Sequence, residues 1–265
     1  MSQVIVFANQ KGGVGKTTSC INLAASLQAA KRRVLLIDFD PQGNATMGSG
    51  VEKYNLAQTV NDVLLEQCTL AAIIKPTHAG YDIAPANADL TEAEIVLARR
   101  ENSQYQLKQA IQTITTCYDF IVVDCPPSLN MLTLNALVAA DSILIPVQCE
   151  YFALEGLASL LETIEQVKAT SNPELKIEGV LRTMYDGRSR LVQDVSAQLS
   201  QHFGELLYHT VIPRNIRLAE APSHGLPALH YDKQSPGALA YLALAGEILR
   251  KQAVLAEAAV AEDYV

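Results

Sequence analysis

The stretch ANQKGGVGKTT, residues 8–18, follows the apolar run VIVFA at residues 4–8 and decides how the rest of the chain is read. A short strand that runs into glycines and then into Lys16, Thr17 and Thr18 has the strand, loop, helix order of a phosphate-binding loop. Glycines let backbone N–H groups converge on phosphate oxygens, and a helix opening at Lys16 adds its positive end. Lys16 then reaches the β- and γ-phosphates while the Thr17 hydroxyl ligates Mg²⁺. Gln10 stands where the common pattern G-x-x-x-x-G-K-[ST] has its first glycine, and Lys11 is one lysine more than such a loop needs. The plain alternative is a tight turn with no ligand; the acidic strand ends further on argue against it.

Outward from the loop, short Val- and Ile-rich runs alternate with longer helical stretches. RVLLID (33–38), FIVVD (120–124), SILIPV (142–147) and IEGVLRTM (177–184) are short and almost continuously apolar, as strands buried on both faces are. Helices are predicted over 17–30, 131–140, 154–170, 189–203 and 235–256, and several short helices plus a strand at YDIAPA (81–86) over the less regular 52–118. The fold class that follows is α/β, a mostly parallel twisted sheet with helices on both faces. The expectation is a single domain over residues 1–265, with a frayed tail from about residue 253.

In such a sheet ligands sit beyond the carboxyl ends of the strands, so Asp38, Asp40 and Asp124 should face the nucleotide. Asp124 ends an apolar strand, as does a Walker-B-type carboxylate that holds Mg²⁺ through water. Asp38 reads equally as a helix cap or a loop ion pair. Asp40 lies in DFDPQGN, a turn rich in Pro, Gly and Asn that can move, and is the better candidate to orient the attacking water; it is also a second candidate at the metal.

Composition excludes several classes. Of 265 residues 49% are hydrophobic, ample for a buried core, and the net charge of −8 speaks against a basic coat while leaving room for a local basic patch. Cys20, Cys68, Cys117, Cys125 and Cys149 lie far apart with no C-x-x-C pair, which fits a reducing cytoplasm rather than a disulfide framework or zinc site. No leader-like or membrane-spanning run is present, so the expectation is a cytoplasmic protein.

KGGVGKTT, DFDPQGNAT, DCPPSL, PVQCEYFALEGL and VIPRNIRLAEAPSHGLP, in that order between about residues 3 and 250, together resemble the ParA family of DNA-partitioning ATPases. That family lies within the deviant-Walker-A group that includes the MinD septum-site ATPases and nitrogenase iron protein. The resemblance implies a P-loop NTPase fold and ATP with Mg²⁺ as cofactors. It matches the short chromosomal type, since a phosphate loop beginning at residue 10 leaves no room for the N-terminal helix-turn-helix domain of longer members. By the same resemblance Lys11 crosses the interface of an ATP-sandwiched homodimer to touch the partner subunit's phosphates, and Gly12 lets the two loops approach. Gly13, Val14, Gly15, Lys16, Thr17 and Thr18 complete the ATP-binding loop, Asp40 positions water, Asp124 serves the metal, and Gly43 and Asn44 give the Asp40 segment its mobility. Pro213 and Asn215 are the candidates to flank the adenine.

Family members bind double-stranded DNA without sequence preference as ATP-bound dimers and are released by a ParB-type centromere-binding partner, which implies nucleoid association in the ATP state. The matching segments nominate Arg188, Arg190, Arg214 and Arg217 for DNA, with Arg188 and Arg217 preferred; each alternatively pairs with a local carboxylate such as Asp186 or Glu220. The alternative function, a MinD-like membrane-cycling ATPase, needs a basic amphipathic C-terminal helix, whereas the tail after Lys251 is alanine-rich and acidic. No membrane partner is therefore expected. An iron protein would need interface cysteines to hold a shared cluster, and the segments around Cys125 and Cys149 match partitioning ATPases instead. Tyr151, Phe152, Leu154 and Leu157 read as core and helix-start packing, Cys125 as a small buried residue, and His202, His209, His224 and His230 lack metal-ligand spacing.

Overall fold

The computed structural model describes residues 2–262, with side chains described as far as Val254. Its strands are β1 (Gln3–Phe7), β2 (Val34–Asp38), β3 (Lys75–Pro76), β4 (Asp82–Ala84), β5 (Phe120–Asp124), β6 (Ser142–Gln148), β7 (Lys176–Tyr185) and β8 (Leu207–Pro213). They form one sheet in the order β3-β4-β2-β5-β1-β6-β7-β8. All neighbours run parallel except β3, which pairs antiparallel with β4. The register sets Phe7 beside Asp124 and Asp124 beside Asp38, so two carboxylates end adjacent central strands.

The helices are α1 (Lys16–Ala29), α2 (Asn44–Gly48), α3 (Val60–Leu64), α4 (Leu70–Ile73), α5 (Leu90–Leu97), α6 (Gln106–Gln112), α7 (Met131–Ala139), α8 (Ala153–Thr170), α9 (Arg190–Phe203), α10 (Ile216–Glu220), α11 (Ala228–Tyr231) and α12 (Pro236–Glu262). Side chains alternate across each strand, so every strand feeds both layers. Val4, Val6, Ile121, Val123, Ile143 and Ile145 pack on one face with α3 to α9. Ile5, Phe7, Leu36, Val122 and Leu144 pack on the other with α1 and α12. Helix α8 buries Ala153, Leu157, Leu160, Ile164 and Val167, a three-and-four spacing that sets which side faces the sheet.

The expected α/β class and the sheet strands at 3–7, 34–38, 120–124, 142–148 and 176–185 are present. Two edge strands lie outside the expectation. In β8 the sequence LYHTVIP interrupts its apolar run with His209 and Thr210, because an edge strand need not be apolar on both faces. At the opposite edge β3 is two residues, Lys75 and Pro76, a lysine and a proline that blunt further pairing. The strand expected over 81–86 is confined to Asp82–Ala84. Of the tail expected to fray, α12 runs to Glu262, and the last three residues lie outside the described part.

One glycine of β7 is fixed by packing. A Cβ at Gly179 would lie 2.5 Å from the ring of Tyr208 and 2.9 Å from the Leu206 carbonyl oxygen. Tyr208 is fully buried and has no room to retreat. Gly179→Ala should therefore destabilise the protein by about 1–3 kcal/mol, measured as a lower urea midpoint; an unchanged midpoint would contradict this packing.

Candidate nucleotide site

The loop between β1 and α1 is built by its neighbours as much as by its glycines. Asn9 is buried; its side-chain amide donates to the Pro146 carbonyl at 2.7 Å and its Oδ1 accepts the Lys11 N–H at 2.9 Å. Thr183 of β7 donates its hydroxyl to the Val14 carbonyl at 2.8 Å. Gln10 donates to the Ser159 hydroxyl of α8 at 2.9 Å. Gly13 and Gly15 have φ of 73° and 86°, a left-handed backbone open mainly to glycine, and Gly15 caps α1. These contacts aim the first N–H groups of α1 into the loop, the arrangement that receives phosphate.

Lys16, 7% exposed, donates from Nζ to the Asn9 carbonyl at 3.0 Å and the Lys11 carbonyl at 3.3 Å, so its ammonium spans the loop. Burial holds its pKa below the ordinary lysine value, opposed by the nearby Asp124, Cys125 and Asp40. Lys11 turns the other way and forms an ion pair with Glu150, just beyond β6. Gly12 is exposed, and a Cβ there would meet only Pro127, at 4.0 Å.

The three acidic residues differ in how they are satisfied. Asp38 is fully buried and accepts the Thr46 N–H at 2.7 Å, the Thr46 hydroxyl at 2.6 Å and the Asp40 N–H at 3.3 Å. It serves the start of α2, the capping alternative of the sequence reading, and burial still lifts it to about 7. Asp124 is also fully buried, but only the Cys20 thiol donates to Oδ1, at 3.5 Å, and Oδ2 has no hydrogen-bond partner. Burial first, then the charge of Asp38, raises Asp124 to about 8, with the Thr17 hydroxyl and Lys16 pulling it down in part. Asp40, 7% exposed, accepts the Gln42 N–H at 2.9 Å and bears electrostatically on both Lys16 and Asp124.

An orphaned buried carboxylate oxygen next to the Thr17 hydroxyl suits a hard divalent cation such as Mg²⁺, which takes few protein oxygens and fills its octahedron with water and phosphate. Among the described residues no cluster of His, Cys, Asp and Glu could hold a metal by itself, so these two groups would act with a nucleotide. Cys20 and Cys125 are buried, and burial pushes both thiols well up, which keeps them protonated.

Beside the loop lies a cavity of about 190 Å³ lined by Gly15, Thr18, Thr183, Met184, Pro213, Asn215 and Tyr241, among others. Pro213 and Asn215 therefore share a wall with the phosphate loop. Asn215 uses Oδ1 to accept the Arg217 N–H and cap α10, which leaves its amide as the donor it can offer a ligand. Gly43 has a φ of 60°, and a Cβ there would lie 2.7 Å from the Ala86 carbonyl oxygen, so close packing demands glycine rather than looseness.

The four nominated arginines are all exposed and divide into two pairs. Arg188 forms a two-pronged ion pair with Asp186, 2.9 Å for each prong, and Arg217 pairs with Glu220 at 2.8 Å and Asp232 at 3.3 Å. Arg190 and Arg214 have no carboxylate partner among the described residues. The local-carboxylate alternative thus holds for the two preferred residues. Tyr151 and Phe152 contradict their assignment to the core: they are 78% and 64% exposed, because they precede the turn where α8 begins to face the sheet. Leu157 is buried and Leu154 partly so. Asn9, Thr183 and Glu150 escaped the sequence reading; only Asn9, directly after the strand, carried a local signal.

The arrangement defines a P-loop nucleotide-binding protein of the deviant Walker A class. Residues 2–177 match the family described as AAA domain. The sporulation initiation inhibitor protein Soj of Bacillus subtilis is 50% identical over 249 residues, 94% of this chain and 98% of that one. The chromosome partitioning protein ParA of Myxococcus xanthus is 47% identical over 252 residues, 95% of this chain and 89% of that one. Among solved structures, a cobyrinic acid a,c-diamide synthase from Mycobacterium smegmatis with bound ADP and magnesium matches with a TM-score of 0.84 at 38% identity, over 94% of this chain and 95% of that one. The chain belongs to the ParA family of partitioning ATPases.

The Asp124 carboxyl gives the metal-free protein a defined pH dependence. Its folded pKa of about 8 lies above the ordinary 3.8, so over that interval the folded state keeps a proton that the unfolded chain has lost. This contribution to stability is complete below the lower value and is lost as pH rises through the upper one. Metal-free Asp124→Asn should therefore lose less stability than the parent between about pH 5 and pH 8, measured by urea unfolding. Equal losses would contradict the assignment.

Proposed function

We propose that this chain is a single-domain Mg²⁺-dependent ATPase of DNA partitioning. ATP drives a sandwich homodimer, the dimer binds double-stranded DNA without sequence preference, and a ParB-type partner stimulates hydrolysis and release. Lys11 carries the reading: it is a second lysine in the phosphate loop, directed outward to Glu150, while Lys16 alone spans the loop. Phosphoryl transfer accumulates charge on the γ-phosphate and bridging oxygens, and an added cation stabilises it, as an arginine finger does. Supplied by the partner subunit, that cation ties hydrolysis to dimerisation. Gly12 supports the same reading, since its own chain gives no steric reason for a glycine there.

Within one subunit Lys16 and the N–H groups of α1 would bind the phosphates, Thr17 would ligate Mg²⁺, and Asp124 would hold that ion through water. Asp40 is the group that orients the attacking water. The cavity at Pro213 and Asn215 takes the adenine. Bound ADP and magnesium in the M. smegmatis relative support ATP with Mg²⁺ as the cofactors here. DNA would meet Arg188, Arg190, Arg214 and Arg217. The unpaired Arg190 and Arg214 offer their charge directly, and the exposed pairs at Arg188 and Arg217 are weak enough to be exchanged for phosphate. On a chain of net charge −8 the patch is local, so two copies presented together should bind far better than one. The ATP form would then sit on the nucleoid and the free form in the cytoplasm, and the sorting signal lies with the partner and its DNA site. Among the described residues no helix is long and apolar enough to cross a membrane.

Two experiments test the reading. Asp40→Ala should dimerise in ATP and remain on DNA, with hydrolysis slowed about a hundredfold or more; failure to dimerise in ATP would remove Asp40 from the water-positioning role. Lys16→Ala should lose nucleotide binding or dimerisation, whereas Lys11→Ala should keep much of its nucleotide affinity and lose the dimer or its hydrolysis. Calorimetric nucleotide titration and light scattering separate the two, and identical defects would contradict the division of labour.

A further inference from the structure

Arg188 and Arg217, two of the four arginines nominated for DNA, have guanidinium nitrogens already engaged. Arg188 donates Nε and one terminal nitrogen to the two carboxylate oxygens of Asp186, at 2.9 Å each, and its backbone N–H meets the same carboxylate at 3.1 Å. Arg217 donates to Glu220 at 2.8 Å and lies 3.3 Å from Asp232 through Nε. Glu220 also accepts the Tyr231 hydroxyl at 3.3 Å, and the Tyr231 ring stacks on His224 with centroids 4.9 Å apart, so this carboxylate is held in place. The two arginine-bearing segments are neighbours: β7 and β8 pair with Tyr185 beside Pro213, and Arg214 donates its N–H to the Tyr185 carbonyl at 3.4 Å. Together with their ion-pair partners they set four arginines against three carboxylates, a surplus of one positive charge.

We propose that Asp186, Glu220 and Asp232 restrain DNA binding on this surface, by holding Arg188 and Arg217 in internal ion pairs that phosphate has to displace; this rests on the DNA-binding reading above. A free arginine that meets a DNA phosphate releases a condensed counterion, and that release drives the association. An arginine already neutralised by a carboxylate gives no net release unless the carboxylate lets go and gathers a cation of its own. The carboxylate also opposes any phosphate that reaches the same guanidinium, because two anions on one cation repel each other. Arg190 and Arg214, without a carboxylate partner among the described residues, therefore supply the driving force, while Arg188 and Arg217 add little until they are freed. Such restraint suits a surface that has to leave DNA again once its nucleotide is hydrolysed.

The test measures binding to a fluorescent random-sequence duplex by anisotropy, with Mg²⁺ and a non-hydrolysable ATP analogue, over a series of salt concentrations. It compares the parent with the neutral, nearly isosteric variants Asp186→Asn and Glu220→Gln/Asp232→Asn. Two controls accompany them: Asp186→Asn/Arg188→Ala, and Glu66→Gln, which removes a carboxylate paired with Arg100 away from these segments. Light scattering and thermal melting should show both neutral variants dimerising and folding as the parent does. Each should bind duplex about tenfold or more tighter near ~0.1 M salt, and its log affinity should fall more steeply with log salt by about 2 per dimer, one added phosphate contact from each subunit. The gain at Asp186→Asn should vanish when Arg188 is also removed, and Glu66→Gln should bind as the parent does. Either neutral variant binding no tighter than the parent overturns the proposal, and weaker binding would make the carboxylates supports that orient the arginines. An equal gain in Glu66→Gln overturns it too, by assigning the effect to overall charge. A parent that dimerises in the analogue yet binds no duplex removes the DNA-binding reading, and this inference with it.

Discussion

Two carboxylates and one ammonium kept out of water at the carboxyl edge of the sheet organise everything else at this site. Asp38 and Asp124 stand side by side because β2 and β5 pair in a register that allows nothing else, and both are fully buried. Burying charge is costly unless it is paired or hydrogen-bonded, and the two residues meet that cost differently. Asp38 has three donors and becomes part of the frame that starts α2. Asp124 has a thiol on one oxygen and nothing on the other, a defect that the fold itself does not repair. A divalent cation bound with a nucleotide would supply the missing partner.

The phosphate loop is clamped from three directions by chain segments far away in sequence. Pro146 of β6 accepts from Asn9, Thr183 of β7 donates to Val14, and Ser159 of α8 accepts from Gln10. Beyond the carboxyl ends of β6, β7 and β8 lie, in turn, the Glu150–Phe152 turn, the Asp186–Ser189 loop leading into α9 and the Arg214–Arg217 segment. The loop and these surfaces are therefore neighbours through rigid strands rather than through flexible linkers. A nucleotide that reshapes the loop has a short physical route to both the proposed dimer face and the proposed DNA face.

Much of the frame was legible in the sequence because parallel strands buried on both faces have to be short and apolar throughout, as VIVFA and FIVVD are. β8 was not legible, since its polar His209 and Thr210 are tolerated only because it is an edge. Tyr151 and Phe152 misled because aromatic residues usually signal core, and the spacing that orients α8 begins only at Ala153, just after them. The surplus Lys11 stood out locally. Its partner Glu150 lies 139 residues away and could be found only once β1 and β6 were seen side by side. Asn9 and Thr183 act through side-chain bonds to backbone carbonyls, contacts that leave no periodic trace in sequence.

If Lys11 serves a second subunit, nucleotide controls assembly. Light scattering of the purified parent protein with Mg²⁺, first in ADP and then in a non-hydrolysable ATP analogue, addresses it directly. The protein should show the monomer mass in ADP and twice that mass in the analogue. The same mass in both nucleotides, whether monomer or dimer, would contradict it.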